Sequence, residues 1–238
     1  MTTPVEELAT RLRERFARQS IGCVVAIDEV TLEVRRECLH EVCEALCGEA
    51  AFAFAELIDV AGIDYLEYGH ADWETSEMVT GSGYSRGVQE HVYADPEGET
   101  RRLGVVYHLL SIEHNLRLRV RCLLPGDMLR VASVVDIWSS ANWFEREAFD
   151  LFGILFEGHP DLRRILTDYG FVGHPFRKDF PISGEVEMRY DAEKRRVIYQ
   201  PVSIEPRVLV PRVIRHDARY DHGEAAAEQT EAEGGGDA

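Results

Sequence analysis

The residues best suited to bind a metal lie close together near the start of the chain: Cys38, His40, Cys43 and Cys47. The cysteines are separated by four and three residues, whereas zinc and iron–sulfur sites commonly use pairs separated by two. On a helix, Cys43 and Cys47 share one face and Cys38 projects from another, so the three thiols do not converge. Because Cys43 and Cys47 also coincide with an apolar stripe, we predict that these thiols pack in the core rather than bind a metal.

A second group with catalytic potential is the carboxylate cluster of Glu145, Glu147 and Asp150. On a helix Glu147 and Asp150 are neighbours, as a general acid and its base would need to be. No nucleophile or metal-ligand set accompanies them, and Arg146 stands four residues before Asp150, where the two can pair. The pattern favours structural ion pairs, with a free acid–base enzyme as the alternative. The residues predicted to form ion pairs are Glu145, Arg146, Glu147 and Asp150.

Two glycine-containing motifs are less specific. The segment Gly81–Gly87 has the glycines of a phosphate-binding loop but not the spacing of either nucleotide motif, so a flexible loop is favoured. The sequence Gly-His-Pro occurs around His159 and again around His174, and a basic pair follows each copy. Neither histidine has a cysteine or an acid at a fixed spacing, so turns are favoured over a metal site. The basic pairs are Arg163 with Arg164, and Arg177 with Lys178.

The elements that position these residues follow from the hydrophobic pattern. Thr3, Pro4 and Glu6 form the capping box that begins a first helix. Strands are predicted wherever apolar residues alternate or run together between turns. The combination predicts an α+β fold with a mainly antiparallel sheet and packed helices. Helices are predicted to begin at Pro4, Arg35 and Ser139, and strands to span 22–27, 30–34, 56–66, 103–112, 116–122 and 131–138.

The later part of the chain has a different character. After Gly153 the apolar periodicity ends and prolines recur, so this part has no core of its own. We therefore predict an α+β domain at 1–155 with a long connection at 67–102, an extended partner-binding arm at 156–220, and a disordered acidic tail at 221–238. The arm's predicted interface residues are Arg163, Arg164, Arg177 and Lys178. A second basic surface comes from alternation in the strand 116–122, where Arg117, Arg119 and Arg121 either meet solvent or dock an acidic partner.

Composition limits the function. The 238 residues include 43 acidic and 26 basic side chains, a formal net charge of −17, which argues against general nucleic-acid binding. The longest apolar run, at 50–55, is far shorter than the roughly 20 residues of a membrane-spanning helix. The N-terminal residues are acidic where a secretory signal would be basic and then apolar, so no signal is expected. Five cysteines, an odd number, favour reduced thiols in a cytosolic compartment.

The segment 142–154 (NWFEREAFDLFGI) closely resembles the signature of the 30 kDa subunit of respiratory complex I and of its bacterial counterpart. The likeness continues through 159–170 (HPDLRRILTDYG) and 174–181 (HPFRKDFP), and ends near 187–191 and 199–202. The connection at 67–102 and the tail after Tyr220 lie outside the resemblance.

The resemblance implies a subunit of the proton-pumping NADH:quinone oxidoreductase, in its peripheral arm on the cytoplasmic side of the bacterial membrane. It implies that the α+β domain packs beside the 49 kDa subunit, that the arm runs over other hydrophilic subunits, and that the chain meets the membrane only through the complex. No catalytic residue and no cofactor is expected in this chain, since the flavin and the iron–sulfur clusters belong to other subunits. The alternative is the equivalent subunit of a membrane-bound hydrogenase or of a formate-oxidising complex.

Overall fold

The computed structural model describes residues 3–66, 68, 73–75, 88–90, 102–126 and 128–204. Within this part the chain forms three α-helices: α1 (Pro4–Arg15), α2 (Leu39–Gly48) and α3 (Ala141–Phe152). The strands, in chain order, are β1 (Ser20–Ala26), β2 (Glu29–Val34), β3 (Glu56–Asp64), β4 (Trp73–Thr75), β5 (Val88–Glu90), β6 (Leu103–Ser111), β7 (Leu116–Leu124), β8 (Arg130–Ala132), β9 (Leu155–Glu157), β10 (Val186–Asp191) and β11 (Arg196–Pro201). No helix in these ranges is both long enough and apolar enough to cross a bilayer.

Five strands form the main sheet, in the order β1-β2-β7-β6-β3. Neighbouring strands run antiparallel except β2 and β7, which are parallel. The predicted α+β class is therefore confirmed, whereas the sheet is mixed rather than only antiparallel. The chain leaves β2 through α2, β3 and β6 before it reaches β7, and a parallel pair needs such a long connection.

The start of α1 follows the predicted capping box. Thr3 Oγ1 accepts a hydrogen bond from the Glu6 N–H at 3.3 Å, and the Glu6 carboxylate accepts one from the Thr3 N–H at 2.9 Å. Leu8, Leu12 and Phe16 then share one stripe and are buried. The helix ends at Arg15, and the next residues turn directly into β1.

Helix α2 begins later than predicted, after a short 3₁₀ turn at Arg36–Cys38. Its apolar stripe faces the core as expected. Cys43 belongs to the core cluster, and Cys38 and Cys47 pack against it. Burial raises the pKa of the Cys43 thiol and that of Cys122, so both remain protonated and apolar in character.

The strand predicted at 131–138 is largely wrong. Only β8 forms there, and it pairs in parallel with β9 rather than with the main sheet. The chain then turns, because the N–H groups of Ile137 and Trp138 donate to the Val134 carbonyl at 3.1 and 2.9 Å. The N–H of Val134 donates to the side chain of Glu145 at 2.8 Å, so it is not available to a strand ladder.

One face of the main sheet is buried against the helices. The register places Leu32, Tyr107 and Val120 on one face. They share a single buried cluster with Leu12 of α1 and Leu46 of α2. Helix α3 packs on β3 and contributes to the same cluster.

Smaller pieces complete the described structure. Strands β4 and β5 pair antiparallel in a separate compact unit, and β10 and β11 form a two-stranded ribbon. The rest of the predicted 67–102 connection, including Gly81–Gly87, lies outside the described residues apart from Tyr68 and Arg102. The end of the predicted arm and the predicted acidic tail, from residue 205 onward, also lie outside them.

Close packing of α3 on β3 depends on a residue without a side chain. A Cβ at Gly62 would meet ring atoms of Phe152 at 2.4–2.9 Å, far inside van der Waals contact. The ring of Phe152 in turn meets Phe176 edge-on, with centroids 5.9 Å apart. Gly62 therefore sets how closely the end of α3 approaches the sheet.

We predict that Gly62→Ala lowers the free energy of unfolding by about 1–3 kcal/mol, the usual range for overpacking. Urea unfolding of the purified chain measures this. Gly48→Ala is the matched control, since no atom lies within 4 Å of its added Cβ. Equal losses in the two variants would contradict the packing argument.

Candidate functional site

The carboxylate of Asp150, near the end of α3, is the most heavily bonded group in the described structure. One oxygen accepts hydrogen bonds from the main-chain N–H groups of Ile165, Leu166 and Thr167 at 2.8–3.0 Å. The other accepts from the Thr167 hydroxyl at 2.5 Å and from Arg164 Nη1 at 2.9 Å. The side chain of Asp150 is 0% exposed. A loop of the predicted arm is therefore folded around a buried charge of the α+β domain.

The surroundings of Asp150 decide its protonation. Burial alone would raise its pKa, but the donors from the Thr167 hydroxyl and from the three main-chain N–H groups outweigh it. The pKa of Asp150 is held well below its ordinary range, so the group stays ionised. A carboxylate whose oxygens are already occupied by five donors and shielded from solvent is poorly suited to the acid–base role considered for Asp150.

Arg146 lies on the same face of α3 as Asp150 and bonds to the same loop, at residues 163 and 164. Its Nε and Nη2 donate to the carbonyls of Arg163 and Arg164 at 3.2 and 3.4 Å, and its guanidinium lies 5.5 Å from the centroid of the Trp143 ring. Residues 146 and 150 are one turn apart, so together they hold both the carbonyl and the N–H groups of one segment. The predicted pair between Arg146 and Asp150 does not form, because each finds main-chain partners in this loop.

Glu145 contacts a different part of the chain, the turn that follows β8. It is 0% exposed, and its carboxylate accepts from the Ser133 hydroxyl at 2.6 Å and from the Val134 N–H at 2.8 Å. Burial dominates and raises the pKa of Glu145 to about 7, although these two donors favour the charged form. Glu145 thus holds the turn after β8 to α3.

The predicted set of ion pairs therefore takes another form. Among the described residues, Asp150 is the member of that set that forms an ion pair, and its partner is Arg164 of the arm. Glu147 is half-buried and has no side-chain partner there. Glu145, Arg146 and Asp150 instead bond to main-chain groups outside the helix.

The arm also caps the C-terminus of α3. Arg177 Nε donates to the Phe152 carbonyl at 2.6 Å, and His174 Nδ1 donates to the Asp150 carbonyl at 2.9 Å. The helix itself ends at Phe152, and the capping residue Gly153 has a φ of 77°, which suits glycine. The last carbonyls of a helix lack internal partners and carry partial negative charge, which explains why a basic side chain lies there.

A third attachment ties the arm to the sheet. Asp64, at the end of β3, accepts from Arg102 at 2.8 and 2.9 Å and from the main-chain N–H of Lys178 at 2.8 Å. Arg102 also pairs with Asp179 at 3.0 Å. Burial opposes ionisation of Asp64, but these donors lower its pKa overall.

These contacts show that the first part of the predicted partner-binding arm, 156–220, is bound to its own chain. Of its four predicted interface residues, Arg164 and Arg177 are used internally, because a buried carboxylate and a helix end lie within their reach. The side chain of Arg163 is 62% exposed and pairs only with Asp161 in the described structure. Lys178 is exposed, and its main chain rather than its ammonium group contacts Asp64.

The histidines of the repeated motif have structural partners. His159 Nε2 donates to the Asn142 carbonyl at 3.2 Å, while its Nδ1 accepts from the Asp161 N–H at 3.0 Å. Desolvation lowers the pKa of His174. Across the described ranges, no three His, Cys, Asp or Glu side chains gather as metal ligands would.

The second predicted basic surface is partly neutralised. Arg119 pairs with Glu29 and Arg121 with Glu33, both at 2.6 Å, because β2 lies beside β7 in register. Arg117 remains exposed on the same face. The surface is therefore a mixed-charge sheet face rather than a row of free arginines.

The ribbon of β10 and β11 presents a surface that the sequence analysis did not single out. The register places six apolar residues on one face. Five of them are 48–62% exposed. The alternation of apolar and charged residues along β10 could have predicted this face from the sequence. The face consists of Val186, Met188, Tyr190, Val197, Tyr199 and Pro201.

Comparison with known proteins gives a consistent picture. A family model described as "Respiratory-chain NADH dehydrogenase, 30 Kd subunit" matches residues 32–186. An NADH-quinone oxidoreductase subunit of Coxiella burnetii (strain RSA 493) is 55% identical over 221 residues, covering 92% of this chain and 96% of the relative. The corresponding subunit of Xanthomonas campestris pv. campestris (strain B100) is 52% identical over 240 residues, covering 93% and 95%.

Two solved structures are also similar. A trypsin-resistant fragment (1-134) of Nqo5 is 30% identical, with a TM-score of 0.45, covering 67% of this chain and all of the fragment. A chain of the archaeal membrane-bound sulfane sulfur reductase is 22% identical, with a TM-score of 0.53, covering 74% of this chain and 85% of that one. The second likeness shows that the fold also occurs in another respiratory membrane complex.

We predict that Asp150→Asn lowers the free energy of unfolding by about 3–5 kcal/mol, because it leaves Arg164 and three N–H groups around a neutral amide. Urea unfolding at pH 7 measures the loss. Glu147→Gln, on the same helix but half-buried, is expected to stay within about 0.5 kcal/mol of the parent. If both variants unfold alike, the carboxylate is not an anchor.

Glu145 makes stability depend on pH in a defined direction. Its pKa in the folded chain, about 7, lies above the ordinary value of 4.5. Its contribution is therefore fully present below pH 4.5 and is lost as the pH rises through 7, by on the order of 3 kcal/mol. His174, whose pKa is lowered, makes stability change in the opposite direction, so that its contribution grows as the pH rises. The difference between parent and variant therefore isolates Glu145.

We predict that Glu145→Gln removes this loss of stability. The stability of the variant relative to the parent should therefore increase between pH 5 and pH 8. Thermal unfolding at several pH values measures the difference. Glu147→Gln serves again as the control, with a profile parallel to that of the parent. A profile of Glu145→Gln that stays parallel to the parent would show that the carboxylate is already ionised in the fold.

Proposed function

Since the chain belongs to the family of the 30 kDa subunit of respiratory-chain NADH dehydrogenase, we propose that it serves complex I as a scaffold rather than as a redox centre. It is a peripheral-arm subunit of the NADH:quinone oxidoreductase, whose other subunits are its partners. A hydrogenase or formate-oxidising complex is not favoured, because the curated relatives are named as subunits of NADH-quinone oxidoreductase.

The observation that carries the scaffold proposal is the division of the C-terminal segment into two parts. Residues 159–179 are bound to α3 and β3 through Asp150, Arg146 and Asp64. The ribbon that follows has an apolar face that the described chain leaves exposed. The first part fixes the start of the segment, and the second presents a surface for another subunit.

The composition of the exposed part suits a protein interface. Stable interfaces have an apolar centre with aromatic residues and methionine, surrounded by a polar rim. The ribbon face supplies Met188, Tyr190 and Tyr199, and a cavity of about 210 Å³ beside it is lined in part by Phe171 and Val172. We infer that the 49 kDa subunit and other hydrophilic subunits cover this face.

Arg163 and Lys178 are the two predicted interface residues whose charged groups remain available. We infer that they lie at the rim, where charge directs association more than it adds affinity. Arg164 and Arg177 contribute indirectly, since they hold the loop and the helix end from which the ribbon continues.

The redox chemistry belongs to the whole complex. Electrons pass from NADH to quinone and drive proton pumping, and we assign the flavin and the iron–sulfur clusters to other subunits. The chain contributes no catalytic residue in this proposal, which agrees with an Asp150 that is locked in one charge state. We expect it on the cytoplasmic side of the membrane, held there by its neighbours.

We predict that Met188→Gln reduces incorporation of the chain into the complex by about ten-fold or more, because a buried apolar side chain is worth about 1.5–3 kcal/mol. Native gel electrophoresis of mildly solubilised membranes, together with NADH:quinone turnover, measures assembly. Arg189→Gln is the control, since Arg189 lies on the opposite face of the ribbon. Normal assembly of Met188→Gln would contradict docking through this face.

Two truncations separate anchoring from docking. A chain that ends at Gly184 keeps every contact to Asp150 and Asp64 and loses the ribbon. We expect it to fold with the stability of the parent and to fail in assembly. A chain that ends at Gly158 leaves Asp150 without its donors, so its folding is expected to suffer as well. Full assembly of the chain ending at Gly184 would rule out the ribbon as the docking element.

A further inference from the structure

Strand β1 is an unusual edge for the main sheet. Among the described residues it pairs with β2 on one side only, its register shifts once, between Ser20 and Gly22, and its sequence, SIGCVVA, contains no charged residue and no proline. Natural sheets commonly protect a free edge with charges, prolines or bulges. The opposite edge strand, β3, follows this rule with Glu56 and Asp59 and with a register shift between Leu57 and Asp59. From Gly22 to Ala26, by contrast, β1 has no charge, proline or bulge to protect its edge.

The main-chain N–H and C=O groups on the free side of β1 indicate what kind of partner can cover it. Ala26 pairs with Glu29 around the two-residue turn, so alternate residues from Ala26 back to Gly22 direct their N–H and C=O groups to β2. Cys23 and Val25 then direct theirs outward. Among the described residues, Arg13 meets this edge by donating to the Cys23 carbonyl at 2.9 Å. The N–H of Cys23 and both main-chain groups of Val25 remain available to another strand.

The side chains along this edge are apolar. Val24 is 59% exposed and Val25 is 37% exposed, and the two point to opposite faces of the sheet. Ile21 is 47% exposed. A strand added here would therefore bury uncharged side chains on both faces.

The turn that joins β1 to β2 carries a second, independent signal. Ile27 and Asp28 have φ values of 51° and 56°, which define a type I′ turn. This left-handed region disfavours β-branched residues, yet Ile27 occupies it and is 98% exposed. The turn between β6 and β7 uses Asn115 at φ 50°, a residue that tolerates it.

We propose that β1 and the tip residue Ile27 form a second docking edge, which accepts an uncharged extended strand from a neighbouring subunit of the complex. The main-chain groups provide the pairing, and Ile21, Val24, Val25 and Ile27 provide apolar contact. A second copy of this chain is a poor occupant, because each copy carries a net charge of −17. The inference depends on membership of the family and not on the ribbon.

Hydrogen exchange on the unmodified protein tests the pairing directly. The amides of residues 20–27 should exchange at least about ten times more slowly in the assembled complex than in the isolated chain, since strand addition protects outward N–H groups. Equal exchange in the two states would overturn the proposal. The ribbon peptide 186–201 is followed in the same spectra, so failure of the ribbon proposal is visible separately.

Two lysine variants test the same edge in assembly. Val24→Lys should lower incorporation by about ten-fold or more, because lysine blocks strand addition. Ile58→Lys on β3, where Ile58 is 44% exposed, is the matched control and should assemble normally. Thermal unfolding of both isolated variants confirms that they fold. Equal incorporation of the two lysine variants overturns the proposal.

The turn residue gives a test with opposite effects on folding and assembly. Ile27→Asn places a residue that accepts the left-handed region, so the isolated chain should keep or raise its Tm while incorporation falls. A lower Tm together with unchanged assembly would show that Ile27 serves the fold alone. Concentration-dependent dimers of the parent chain that Val24→Lys abolishes would identify a second copy as the occupant and would also overturn the proposal.

Discussion

A carboxylate removed from water must find donors on every side, and Asp150 finds them in a segment that follows its own helix. Three consecutive main-chain N–H groups, one hydroxyl and one guanidinium converge on it. All five of these donors come from that loop, and removing the partners of a buried charge costs several kcal/mol. Without the charge, the loop would have three N–H groups with no acceptor. The α+β domain and the first part of the C-terminal segment are therefore a single folding unit, held together at this point.

Helix α3 serves several neighbours because of its geometry. Residues 145 and 150 are five apart, which places them about 140° from each other around the axis. Glu145 therefore reaches the turn after β8, while Asp150 and Arg146, one turn apart, both reach the loop at 163–167. The signature sequence of the family is thus a set of contacts to main-chain groups. These contacts account for three of its four charged residues, Glu145, Arg146 and Asp150, without any need for catalysis.

The surfaces away from α3 are of two kinds: one carries paired charges, and the others expose apolar side chains. The outer sheet face pairs Arg119 and Arg121 with glutamates of the same sheet, which suits contact with water. The ribbon face and the edge strand β1 instead expose apolar side chains and, at β1, strained backbone. Both are unfavourable for a chain on its own, and both become favourable once covered. A subunit of a large assembly is expected to keep such surfaces, since its stability is shared with its partners.

Much of the fold was determined by the sequence alone. Hydrophobic periodicity located α1, α2, α3, the hairpin of β6 and β7 and the strands β1 to β3, and the capping box at Thr3 formed as predicted, because local patterns reflect local burial. The family signature gave the membership that the comparisons established. The parallel pairing of β2 with β7, the turn in place of a strand at 134–138 and the roles of Arg164 and Arg177 were decided only by the tertiary structure. Each depends on which main-chain groups lie opposite a side chain in space. Asp150 and Thr167 are distant in sequence, and no periodicity records that one is the other's hydrogen-bond partner.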